Sequence, residues 1–165
     1  MKLRSDIRIN RKHYPAGSEI SWFRVYPFFL VHMLIFGVTG FVLAYSDQDI
    51  PLPVLYVHSG IAFFAYLLFY LKFFGRDAVS WMFINGTLGL IGIYTQIDWI
   101  LTLFGRSWSD YPWYVHAVPV MYFVLYTFLM RQAILDLSNA RTDRRRDRFA
   151  GVFHVALSLG LYAVL

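Results

Sequence analysis

Long apolar runs separated by short polar stretches make up most of this chain. Residues 25–45, 52–74, 79–104 and 112–135 are each nearly unbroken in apolar character. Each has the length a helix needs to cross a hydrocarbon core, about 20 residues for about 30 Å. A fifth run, 149–165, gives only about 25 Å of helix, so it spans only if untilted or if the chain continues. The predicted fold is therefore all-α, a polytopic membrane bundle of four to five transmembrane helices over residues 25–165. Residues 1–24 carry Lys2, Arg4, Arg8, Arg11, Lys12 and Arg24 around a Pro15-Ala16-Gly17 turn. They lack the apolar core of a cleavable signal and read as a polar, basic arm.

The positions of Lys and Arg orient the bundle. The arm, the turn holding Lys72 and Arg76, and the stretch Arg131, Arg141, Arg144, Arg145, Arg146 and Arg148 belong to one side. The opposite connections hold Asp47, Asp49 and Asp110 with only Arg106. Basic loops stay on the cytoplasmic side, so the N-terminus is predicted cytoplasmic, in a bacterial inner membrane. The net charge of +5 is thereby accounted for by topology and lipid contact, and nucleic-acid binding is rejected. With no Cys in 165 residues, disulfides and thiolate metal sites are excluded, so a cofactor would need His, Met or oxygen ligands.

Four of the five histidines, His32, His58, His116 and His154, fall inside the apolar runs. Such side chains are costly in a bilayer and usually face the bundle interior with a partner. His58 lies about 9 Å and His116 about 6 Å from one end of their spans, in the same leaflet. That matching depth makes them a possible bis-imidazole pair for one haem iron. His32 and His154 match at about 10 Å and about 8 Å in the other leaflet, which allows a second pair. Gly37, Gly40, Gly60, Gly86, Gly89 and Gly92 could give a macrocycle room or simply let helices approach. Pro119 is expected to loosen or kink the fourth span. Met130 falls on the same helical face as His116 and is a competent axial ligand.

The stretch Arg24-Val-Tyr-Pro-Phe-Phe-Leu-Val-His32, followed by Gly37-Val-Thr39-Gly40, resembles the first helix of the membrane b-type cytochromes that serve formate dehydrogenases and nickel-iron hydrogenases. Val57-His58-Ser-Gly60 is similar to their second helix and Trp113-Tyr-Val-His116 to the start of their fourth. The resemblance covers residues 24–135. It implies one haem b held by His58 and His116, and a second between His32 and a late His of the fourth helix. Met130 stands where that late His is expected, so the second haem is absent, or is completed by His154 or by Met130.

Gln96 and Asp98 mark a place for a quinone or proton site, with snorkelling of Asp98 as the simpler reading. Trp22, Trp81, Trp108 and Trp113 are placed as interfacial belt residues. No hydrolase or nucleotide motif is present, and the sequence leaves open whether the chain is an enzyme. Two functions follow. One is a haem-binding subunit carrying electrons between a quinone pool and a partner protein. The other is a non-redox subunit of a larger membrane complex, contacting lipid, partner subunits or chlorophyll-type pigment, or holding no cofactor. A transporter comes last, for want of a broken-helix pair or inverted repeat.

Overall fold

The computed structural model describes residues 2–9, 11–46 and 50–142, with Arg145, Phe149 and Val152. Most of the predicted fifth span, His154 included, lies outside the described residues. The apolar runs are helices: α1 (Trp22–Tyr45), α2 (Leu52–Phe73), α3 (Arg76–Leu88), α4 (Leu90–Thr102) and α5 (Ala117–Leu137). Three of these, α1, α2 and α5, are each long and apolar enough to cross a membrane.

The predicted arm is more ordered than its composition suggested. Strands β1 (Ile7–Ile9) and β2 (Lys12–Tyr14) pair antiparallel, Ile7 opposite Tyr14 and Ile9 opposite Lys12. With three residues each and mostly charged side chains outward, they carry too little alternation to be read as strands beforehand. The hairpin docks through Leu3, which is buried and exchanges backbone hydrogen bonds with Ser18 and Gly17 at 3.0 and 2.9 Å. Ser5 Oγ donates to the carbonyl of Lys72 at 3.0 Å. Arg4 lies against Gly75, whose φ of +87° lets the chain turn sharply between α2 and α3.

Each helix buries one stripe. On α2 it runs Leu55, Ser59, Ala62, Tyr66, Tyr70 and Phe73, the three-and-four spacing of one helical face. On α1 it runs Tyr26, Met33, Gly40 and Ala44. Helix α5 packs against the four other helices. Half of its best apolar window is buried, against 22% for α1 and 28% for α2, so it is the central element. Small residues let it come close: a Cβ on Gly40 would stand 2.5 Å from Cε2 of Tyr122, and one on Gly86 2.9 Å from Cγ2 of Val124. Both glycines are thus committed to helix contact, whereas around Gly37 and Gly60 no described atom lies within 4 Å of such a Cβ.

The third apolar run differs from expectation. It is two helices bent by 66° at Gly89, whose amide donates to the Asn85 carbonyl at 2.8 Å as α3 ends. Gly86-Thr-Leu-Gly89 supplies two residues of poor helix propensity one turn apart, where a kink costs least. A broken-helix pair, not foreseen from the sequence, is therefore present. The pair starts beside the hairpin, at Gly75, and ends beside Trp108, whose amide donates to Asp98 at the far end of the bundle. The fourth run also shifts. Residues 112–116 form hydrogen-bonded turns, Val115 to Pro112 at 3.0 Å and His116 to Trp113 at 3.3 Å, and α5 begins only at Ala117. Pro119 therefore sits in the first turn, where its missing amide costs nothing, and the expected kink has no cause.

Replacing Gly40 by Val should destabilise the bundle by about 1–3 kcal/mol through overpacking against Tyr122. Gly37→Ala should be neutral or stabilise by a few tenths to about 1 kcal/mol. Thermal melts of the two variants in one detergent compare them directly.

Candidate functional site

A polar cluster centred on His116 lies at the end of the bundle away from the hairpin. Its construction starts on α4. The Asp98 carboxylate accepts the Trp108 amide at 2.6 Å and the Ser107 hydroxyl at 3.3 Å. Ser107 and Asp110 close a reciprocal capping box around the short 3-10 turn Trp108–Asp110. Asp98 is thus an anchor for the α4–α5 connection, rather than a side chain snorkelling to water. The pinned turn lays the Trp108 indole flat on the His116 ring, centroids 3.5 Å apart and planes 14° apart.

His116 is almost fully buried, at 2% exposure, and both ring nitrogens are engaged. Nε2 lies 3.3 Å from the carbonyl oxygen of Tyr111. A carbonyl only accepts, so Nε2 carries the proton, and Nδ1 accepts from the Tyr45 hydroxyl at 2.9 Å. Arg106 donates to the Tyr45 carbonyl at the end of α1 and to the Tyr111 hydroxyl at 3.1 Å. That places a cation where the last carbonyls of α1 are otherwise unsatisfied. One neutral imidazole therefore joins the end of α1, the α4–α5 connection and the start of α5. Burial lowers its pKa, while the bonded backbone of Tyr111 and Trp108 opposes the shift.

The other predicted residues are dispersed. His58 is half-buried on α2 beside Phe36, ring centroids 5.6 Å apart. Its Nδ1 is buried with no hydrogen-bond partner among the described residues. His32 faces outward from α1, its ring on Phe28 at 4.1 Å and its Nδ1 donating to the Phe28 carbonyl at 2.8 Å. Met130 is half-buried on α5. His154 lies outside the described residues. Among the described residues no three His, Asp or Glu side chains gather as a metal site. Helix α5 starts five residues later than the apolar run, which leaves His116 at its N-cap rather than inside the helix.

A bis-imidazole clamp on His58 and His116 does not fit this arrangement. An iron at either nitrogen of His116 would displace Tyr45 or Tyr111 and leave a buried polar group unpaired. Tyr45, Arg106, Trp108 and Tyr111 were not singled out by sequence as one site. Their aromatic character at span ends carries an interfacial signal only, and their convergence on His116 is made by tertiary structure. No protein-family model matches this chain, and no curated protein or solved structure is significantly similar to it.

The lowered pKa of His116 has a defined sign. Above the ordinary His value of about 6.5 the ring is neutral in both folded and unfolded protein. As pH falls below it, the unfolded chain takes up a proton that the folded site resists, so stability is lost. The melting temperature of the wild type should fall over this interval, with a slope of at most about 1.4 kcal/mol per pH unit for the one proton. His116→Asn should be less stable at neutral pH and lack that component of the slope.

Proposed function

We propose that this chain is a non-redox membrane subunit that packs against lipid and other helices within a larger assembly of a bacterial inner membrane. The observation that carries this reading is the engagement of both nitrogens of His116 by Tyr45 and Tyr111. It makes the most buried histidine among the described residues a joint between helices rather than a ligand in waiting. The apolar outer faces of α1 and α2, with residues such as Phe28, Ile35, Val42, Val57, Ile61 and Phe64 exposed, are the surfaces left for lipid and partner subunits.

In this reading the chain makes four described crossings. Helices α3 and α4 leave the hairpin end and arrive at the His116 end, which supports a single broken span over a re-entrant loop. Four crossings return the end of α5 to the side of the hairpin. Support comes from the Tyr26 hydroxyl at the start of α1, which bonds Asp136 at the end of α5. Lys72, Arg76 and Arg141 share that end with the hairpin cations, the pattern expected of a cytoplasmic face.

A second reading, the haem-binding electron carrier between quinone and a partner, is favoured by the unpartnered Nδ1 of His58. It needs an axial partner other than His116 as placed here, or a tetrapyrrole satisfied by one imidazole, such as a chlorin.

The deciding experiment is a reduced-minus-oxidised absorption spectrum with pigment extraction, on protein drawn from its own membrane in mild detergent. The expected result is a colourless chain running in a complex of fixed stoichiometry, well above its own 19.3 kDa. Sharp b-type bands or extractable chlorin that vanish in His58→Ala would overturn the structural reading in favour of the second.

A further inference from the structure

Asn85 stands apart from the other polar side chains of the helices. It lies on α3, about 14 Å along that helix from its start at the hairpin end. A second marker fixes its level. The adjoining Gly86 packs on Val124 of α5, which stands about 10 Å from one end of that helix and about 20 Å from the other. The carboxamide is therefore level with the middle of the bundle. It is exposed, and it makes no hydrogen bond among the described residues.

Hydroxyls on the same broken span close on their own backbone. Thr87 and Thr95 donate to the carbonyls of Phe83 and Ile91, both at 3.0 Å. A carboxamide offers two N–H donors and an acceptor oxygen, more than the bonded backbone of one helix can match. Acyl chains offer nothing in return, so a carboxamide left in lipid forfeits those bonds. Its surroundings are open as well. Trp81, one turn before, and Leu88, one turn after, are 60% and 78% exposed. Gly89, at the bend, is exposed with no side chain to hold another helix away. The opposite flank of α3 is taken: Phe83 packs edge-on against Phe63 of α2, ring centroids 6.4 Å apart. Asn85 thus lies on the side of α3 turned away from α2.

We propose that Asn85 joins two copies of this chain, its carboxamide exchanging two hydrogen bonds with the same carboxamide across a two-fold axis along the membrane normal. Copies that share one topology carry Asn85 at one depth, so each meets its equivalent wherever these faces touch. The group is its own complement. Each oxygen accepts from the amino group of the other copy, the isologous contact that closes a dimer. Polar side chains hold helices together in a bilayer for the reason that makes them costly alone, since lipid cannot replace the bond. Trp81 and Leu88 pack around the pair and keep acyl chains from it. The proposal rests on reading α3 and α4 as one broken span, and it names one partner in the assembly proposed above. It is independent of whether a cofactor is bound.

Because the chain has no Cys, a single introduced Cys can form a disulfide only with another molecule. Leu88→Cys in the full chain, oxidised in its own membranes, should give a covalent dimer of twice 19.3 kDa. Val31→Cys and Ile61→Cys, exposed on α1 and α2 at comparable depth, should not. Adding Asn85→Leu to Leu88→Cys should remove most of the cross-link, and adding Asn85→Gln should keep it. Sedimentation of the purified chain in mild detergent should find two copies per particle. Asn85→Leu should weaken that dimer about 3- to 30-fold, the range of a hydrogen bond between membrane helices. A monomer in sedimentation, or a cross-link indifferent to Asn85→Leu, would overturn the proposal. So would a Leu88→Cys adduct of any other mass, which assigns this face to a different protein. A membrane-impermeant maleimide separates this failure from that of the span. Labelling of Leu88→Cys from water would take Asn85 out of the bilayer and sink the broken-span reading as well, whereas an unlabelled monomer sinks the dimer alone.

Discussion

Lipid offers no hydrogen bonds, and that constraint shapes each part of this chain. Backbone groups are closed within helices, and hydroxyls on those helices turn back on the carbonyl one turn before them, as Thr39 and Thr127 do. Where a helix must end or break, polar side chains take over. Asp98 receives the amide of Trp108 after α4, and Arg106 takes the last carbonyl of α1. The two clusters that tie α1 to α5 stand at the ends of those helices, where their polar atoms do not have to cross the hydrocarbon.

Between those ends a different force holds the helices. Apolar contact gains little when the solvent is itself apolar, so close backbone approach and dispersion must supply the cohesion. Gly40 and Gly86 permit that approach against Tyr122 and Val124, on opposite flanks of α5. This explains why α5 is the most enclosed of the long helices while α1 and α2 keep broad apolar faces outward. It also separates the glycines into kinds. Two of them carry helix contact, Gly89 marks the break, and Gly60 stands open.

Much of the fold was legible from the sequence, because a span is recognised by twenty consecutive apolar residues and needs no tertiary information. The limits of α1 and α2 lie within about three residues of the apolar runs. The hairpin, Lys72 and Asp136 meet at one end of the bundle. What apolarity does not encode is conformation inside a run. The 66° bend at Gly89 leaves hydropathy unchanged, and Trp113, Tyr114 and Val115 are as apolar in turns as in a helix. The site suffered from the same blindness. Depth along a run was used to pair His58 with His116, and the late start of α5 moved His116 to a helix end. Tyr45 and Tyr111 then claim its nitrogens, which spacing along the chain does not reveal.

Two polar features near that end follow one rule. Around His116 both ring nitrogens are matched, and Trp108 stacks on one face of the ring. A few residues away, Ser59 and Tyr122 are also buried, and their hydroxyls lie within reach of each other. A buried hydroxyl in a protein interior is ordinarily either paired or replaced by an apolar group, because leaving it unpaired costs more than omitting it. The neighbouring joint is fully satisfied, so the fold is able to pair polar groups at this depth.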